Sequence, residues 1–160
     1  MEESKRRELS FSTLDECVSD AQMLAEKGYD SVGDWDLVQV LGHCGNWMTY
    51  PIDGFPKPNF FMRGMMWAMR VTVAKSMIKK VLESGSMPAG NPTVKESVPS
   101  PNATGDKQAV EKFAETVQRF KDHSGPFLPS PLFGQMDEAS LMKLNLIHTQ
   151  HHLSFLVPKE

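Results

Sequence analysis

Asp137-Glu138-Ala139-Ser140-Leu141-Met142-Lys143-Leu144-Asn145-Leu146-Ile147-His148-Thr149-Gln150-His151-His152-Leu153-Ser154-Phe155-Leu156 reads as one helix. Asp137 supplies the N-cap oxygen that such a start needs, and Pro158 closes the stretch because it cannot continue the hydrogen-bond ladder. At about 100° per residue, Lys143, Gln150 and Ser154 gather on one side and mark a solvent face. The opposite direction coincides with His152, and Leu141 and His148 lie within roughly 40° of it. His151 falls about 100° away, toward the flank. The pair expected to point inward is therefore His148 and His152. Side chains four apart on a helix stand side by side, their Cβ atoms roughly 5–6 Å apart. Two inward imidazoles on adjacent turns are hard to satisfy without carboxylates or a cation, so the pair is a candidate metal site.

Helical periodicity continues through the rest of the chain, with no convincing alternating strand pattern. Ser12 with Asp15 resembles a capping box and opens a first helix to about Lys27, with Leu14, Cys17, Val18, Ala21, Leu24 and Ala25 inward and Gly28 as its stop. Asp34 is the expected cap of a second helix to about Tyr50, ended by Pro51. A third runs from about Phe60 to Glu83, roughly 35 Å at 1.5 Å per residue. Its richness in apolar residues predicts a core helix whose methionines fill irregular space. The stretch 84–105 carries four prolines and three glycines and reads as a long crossover. A fourth helix follows from Asp106, its cap, to about Asp122, with Val110, Phe113, Ala114, Val117 and Phe120 inward. The expected architecture is all-α: one domain over residues 1–160, an antiparallel helical bundle with a long crossover, with a mobile N-terminus over residues 1–10.

The chain has 160 residues, 17 basic against 20 acidic, a net charge of −3 and two cysteines. That length allows one domain with a real core. The charge balance argues against nucleic acid as partner, since no excess of Lys or Arg is on hand to neutralise phosphates. Arg63, Arg70 and Lys75 interrupt the most apolar stretch, which argues against a membrane span. The start shows no secretory signal. Cys17 and Cys44, on the apolar faces of separate helices, are read as free thiols of a cytoplasmic protein.

A third metal ligand would have to come from another helix. His43 sits at the edge of the second helix's apolar stripe, about 100° from its centre near Cys44, a place from which it can face a neighbour or solvent. His123, beside Gly125 and Pro126, is expected to face solvent. Asp53, Asp137 and Glu138 are weak candidates for a base or for hydrogen bonding to ligands. Their simpler reading is as two caps and a turn residue. No glycine-rich phosphate loop and no recognisable nucleophile motif appears.

Leu41-Gly42-His43-Cys44, Asp53-Gly54-Phe55-Pro56, Pro131-Leu132-Phe133-Gly134 and His148-Thr149-Gln150-His151-His152-Leu153 occur in that order. In this the chain resembles the DinB-like superfamily over nearly its whole length, within a bacterial branch of uncharacterised proteins. The resemblance implies a four-helix bundle binding a divalent metal through one His of the second helix and a His-x-x-x-His pair of the last, which fall here on His43, His148 and His152. Relatives in this branch often carry a further His where this chain has Asn145, a departure that leaves the three ligands intact. Several activities in the superfamily are metal-dependent transfers using low-molecular-weight thiols, so the resemblance implies a small-molecule, thiol-dependent S-transferase. A metal-assisted hydrolase and a non-catalytic, dimerising bundle stay open beside it. The cation is expected to be divalent (zinc, nickel, iron or manganese), because imidazole alone does not choose. A homodimer is a further expectation.

Overall fold

A computed structural model describes residues 6–91 and 93–160. Among these residues the chain is mostly helical: α1 (Leu14–Lys27), α2 (Leu37–Asp53), α3 (Phe60–Thr72), α4 (Ala74–Ser84), α5 (Asp106–Asp122) and α6 (Glu138–Leu153). Helices α1, α2, α5 and α6 share the core. Leu24 of α1, Leu41 and Met48 of α2, Phe113 and Phe120 of α5 and Leu153 of α6 are all removed from solvent. Burying each such side chain is worth about 1.5–3 kcal/mol, and together they fix how the helices seat. α2 lies against both α5 and α6, and α1 against the same two helices. This brings the middle of α2 to the C-terminal half of α6.

The helix ends differ in detail from the sequence expectations. Thr13, not Ser12, caps α1 by accepting from the Glu16 amide. Asp36, not Asp34, caps α2 in a full capping box: Asp36 Oδ1 accepts from the Gln39 amide at 2.8 Å and Gln39 Oε1 from the Asp36 amide at 3.2 Å. Pro51 does not end α2 but lies inside its last turn, and the helix runs on to Asp53. A proline there removes one ladder bond only. Gly54, at φ 119°, supplies the stop and its amide reaches the Tyr50 carbonyl. Asp106 is the first residue of α5 rather than its cap, which is Gly105.

The expected third helix is two. α3 and α4 meet at Val73, yet backbone bonds cross the junction from Val73 to Met69 and from Met77 to Val73. The Thr72 hydroxyl donates to the Ala68 carbonyl at 2.6 Å, a side-chain bond of the kind that bends helices. The core-helix expectation is overturned: no residue of α3 is buried, and Phe60, Phe61 and Trp67 stand 91%, 79% and 65% exposed.

Two three-residue strands were not foreseen. β1 (Tyr29–Ser31) pairs antiparallel with β2 (Leu156–Pro158), so α6 stops at Leu153 instead of Leu156. Strands this short carry no alternation to read. The N-terminus is also less free than expected. Arg7 donates two 2.7 Å bonds to Asp20 and one of 2.9 Å to the Leu153 carbonyl, and its amide donates to Ser154. The part of that expectation falling on residues 1–5 lies outside the described residues. Among the described residues no helix is long and apolar enough to cross a membrane.

Candidate metal centre

The capping box at Asp36 fixes the start of α2 two turns before His43, and Asp137 fixes α6, its Oδ1 accepting from the Ser140 amide at 2.8 Å. With the two helices packed together, His43, His148 and His152 converge. His148 Nε2 lies 3.0 Å from His43 Nε2 and 3.1 Å from His152 Nε2, and one ligand nitrogen from each ring lies within 4.8 Å of the other two. Metal–nitrogen bonds of 2.0–2.1 Å in a tetrahedral arrangement put ligand nitrogens roughly 3.3 Å apart. The observed spacings sit close to that figure.

Hydrogen bonding alone fits the cluster less well. A neutral imidazole Nε2 carries one hydrogen or one lone pair, so His148 Nε2 makes one well-directed hydrogen bond, while two nitrogens face it. Three lone pairs directed at one cation leave no such conflict. His43 is buried and the other two rings are half-buried. Burial pushes His43 down to about 4, against the opposing hydrogen bond with Ser97. It pushes His152 down to about 3, helped by the neighbouring His43 and His151. His148 is lowered well below the ordinary histidine range, first by burial and then by His152, His43 and His151. All three are neutral at pH 7, the form in which imidazole ligates a metal. The three residues can hold a metal ion.

A family model described as "Protein of unknown function (DUF1569)" matches residues 3–159. The chain belongs to the DUF1569 family. No curated protein and no solved structure matches it.

Around the three rings the DUF1569 chain places two tryptophans and a serine. Trp35 stacks on His152 at 4.9 Å between centroids and meets His43 edge-on at 5.0 Å. Trp47 lies edge-on to His43 and His148, at 6.3 and 6.4 Å. Ser97 Oγ is 2.9 Å from His43 Nδ1. Trp35 precedes the first turn of α2 and Ser97 belongs to a short 3-10 turn, Lys95–Ser97, in the crossover. Neither position shows a periodic or motif signal. The crossover itself is docked on α2: Gln39 Nε2 reaches the Pro99 carbonyl at 3.3 Å, Asn46 Nδ2 the Ser97 carbonyl at 2.9 Å, and the Asn102 amide Asp36 Oδ2 at 2.8 Å.

The remaining candidates lie elsewhere. Asp53 is held in a two-bond pair by Arg119, which keeps its carboxyl below the usual range. Asp137 is a cap, and neither it nor Glu138 joins the histidine cluster. His123, expected to face solvent, is half-buried: it packs on Phe127 at 4.7 Å, and its Nε2 is buried without a partner among the described residues. His151 lies on the flank between His152 and Phe155. Asn145 is buried and donates to the Leu141 carbonyl. Cys17 and Cys44 are free and buried. Burial raises the Cys17 thiol to about 12 and the Cys44 thiol further.

Proposed function

We propose that this chain is a divalent-metal-dependent enzyme built on a DinB-like four-helix bundle, and that it transfers a low-molecular-weight thiol to a small electrophilic substrate. The observation that carries this reading is the meeting of three neutral imidazole nitrogens with no fourth side-chain ligand joining the cluster among the described residues. Three protein ligands plus an open position distinguish catalytic metal sites from closed structural ones. A bound cation would supply Lewis acidity there, lowering the pKa of a thiol or a water. His43, His148 and His152 hold it. Trp35 and Trp47 wall the rings and limit water around them. An open cleft of about 360 Å³ borders Trp35, with Gln39, Lys95 and Ser100 in its wall, a volume in the range of small-molecule sites.

Metal-assisted hydrolysis ranks second, because Asp53 is engaged by Arg119 and no carboxylate among the described residues joins the cluster to act as base. The test is metal analysis of freshly purified protein with assays of thiol conjugation to electrophiles, comparing wild type with His148→Ala and His152→Ala. Metal bound in wild type, and activity lost with the metal in both variants, is expected. Metal-free wild type from metal-replete cells sinks the enzymatic reading.

The exposed face of α3 supports the further proposal of self-association. Aromatic side chains offer 150–250 Å² each, so Phe60, Phe61 and Trp67 at their exposures present roughly 350–600 Å². That alone matches the largest apolar patches of ordinary monomers. With Met65 and Val71 added, it approaches the roughly 800 Å² per partner of a standard interface. The occupant proposed is α3 of a second copy. This face also favours the non-catalytic reading, in which the bundle serves association alone. Loss of activity with the metal separates the two.

A further inference from the structure

The hydrogen-bond chain that starts at His43 Nδ1 ends in the crossover. Ser97 is fully buried, its Oγ 2.9 Å from His43 Nδ1 and 2.6 Å from the Val94 carbonyl oxygen. A hydroxyl has one hydrogen to give, and a carbonyl oxygen has none. If the Ser97 hydrogen went to His43, two oxygens would face each other at 2.6 Å with nothing between them. The hydrogen therefore goes to Val94, and Oγ is left to accept. The only group that can donate to it from the histidine side is Nδ1–H.

A neutral imidazole carries its single hydrogen on one nitrogen. We infer that Ser97 is the positioning residue of the histidine cluster: by accepting from Nδ1–H it fixes the tautomer of His43 and leaves the Nε2 lone pair aimed at His148. The Nδ1–H···Oγ–H···O=C relay is of the kind that orients metal-binding histidines and raises their basicity.

The relay is held from both sides. Asn46, one turn beyond His43, clamps the Ser97 carbonyl. Gly42, beside His43, lets the crossover close in: a Cβ there would meet Pro99 Cγ at 2.2 Å. The crossover is thus part of the centre, although it contributes no ligand.

The test uses the metal-stripped full-length chain, then the same chain titrated with Zn²⁺. Long-range ¹H–¹⁵N spectra of the wild-type imidazoles are expected to show His43 protonated at Nδ1, and Ser97→Ala to move that hydrogen toward Nε2. Zn²⁺ affinity is expected to fall about 10–100-fold in Ser97→Ala and to be kept by Ser97→Thr, which retains the hydroxyl. A residue that only packed would lower the melting temperature while leaving tautomer and affinity unchanged. Wild-type His43 protonated at Nε2, or Ser97→Ala binding Zn²⁺ as tightly as wild type, overturns the assignment. Should Ser97→Ala not fold, the wild-type spectrum decides. The affinity arm rests on the metal-dependent reading, but the tautomer arm does not. Wild type that takes no Zn²⁺ yet shows Nδ1–H overturns that reading and supports the Ser97 assignment.

Discussion

His148 is the hub of the centre, because its Nε2 faces both of the other ligand nitrogens. Replacing any of the three histidines by Ala is expected to weaken metal binding by more than about 100-fold, since even outer hydrogen-bond partners cost 10–100-fold. Isothermal titration checks this, and an alanine variant of wild-type affinity counts against a three-ligand site. The metal-free chain carries a pH signature as well. Unfolded histidines titrate near 6.5, whereas folded His43 and His152 titrate near 4 and 3, so between these values the unfolded state binds more protons. Stability from this source is complete above about pH 6.5 and drains away as pH falls toward 4, by on the order of 3 kcal/mol for His43. Melting temperature in chelator, measured from pH 7.5 to 4.5, should drop over this window and drop less in His43→Gln. Identical profiles contradict it. The pairing of His148 with His152 was legible from angular position alone, yet one of its markers was misleading. Ser154, which the angular pattern places on the solvent face, is buried and donates to the His151 carbonyl. α6 is packed by α1, α2 and α4, so it has no single wet side to read. His43 was ambiguous for a related reason: the edge of an apolar stripe faces either a neighbour or water, and only the position of α6 decides which.

Two glycines in different helices separate intrinsic propensity from packing. Exchanging Gly for Ala within a helix gains roughly 1 kcal/mol from propensity where there is room. Gly64 of α3 has room, with nothing within 4 Å of an added Cβ, so Gly64→Ala should raise the melting temperature. Gly42 of α2 has none, and the rigid Pro99 ring cannot swing aside. Gly42→Ala should therefore destabilise by about 1–3 kcal/mol, the usual cost of overpacking. It should also loosen the Ser97 contact with His43. Thermal denaturation of both variants is the check; equal shifts would mean that the crossover does not press on α2. Helix existence was readable from apolar spacing throughout, but contacts between elements were not. The break at Val73 leaves no mark in the apolar spacing, and the strands β1 and β2 depend on each other. The Lys95–Ser97 turn lies in a stretch whose proline and glycine content signals only that no long helix forms.

At the scale of the molecule, the proposed self-association falls on the exposed aromatic face of α3. Trp67→Glu places a charge in its middle and should shift wild-type dimers to monomers in analytical ultracentrifugation, with metal affinity unchanged. Wild type that sediments as a monomer at tens of micromolar dismisses pairing through α3. The sequence made this helix look like core because apolar content alone does not tell a buried face from an exposed one. The docking of the segments at Arg7 and at Lys159 is of another kind. Arg7 is bonded to Asp20, Leu153 and Ser154, and Lys159 to Gly28, so both residues lie against the α1–α6 body. Terminal segments docked on the same body can be bridged by a linker, as circular permutation requires. A chain joined end to end and reopened in the exposed turn at Gly90 would be translated with α6 ahead of α2. It should still assemble the same three imidazoles, because their meeting depends on which helices touch and not on the order in which the ribosome delivers them.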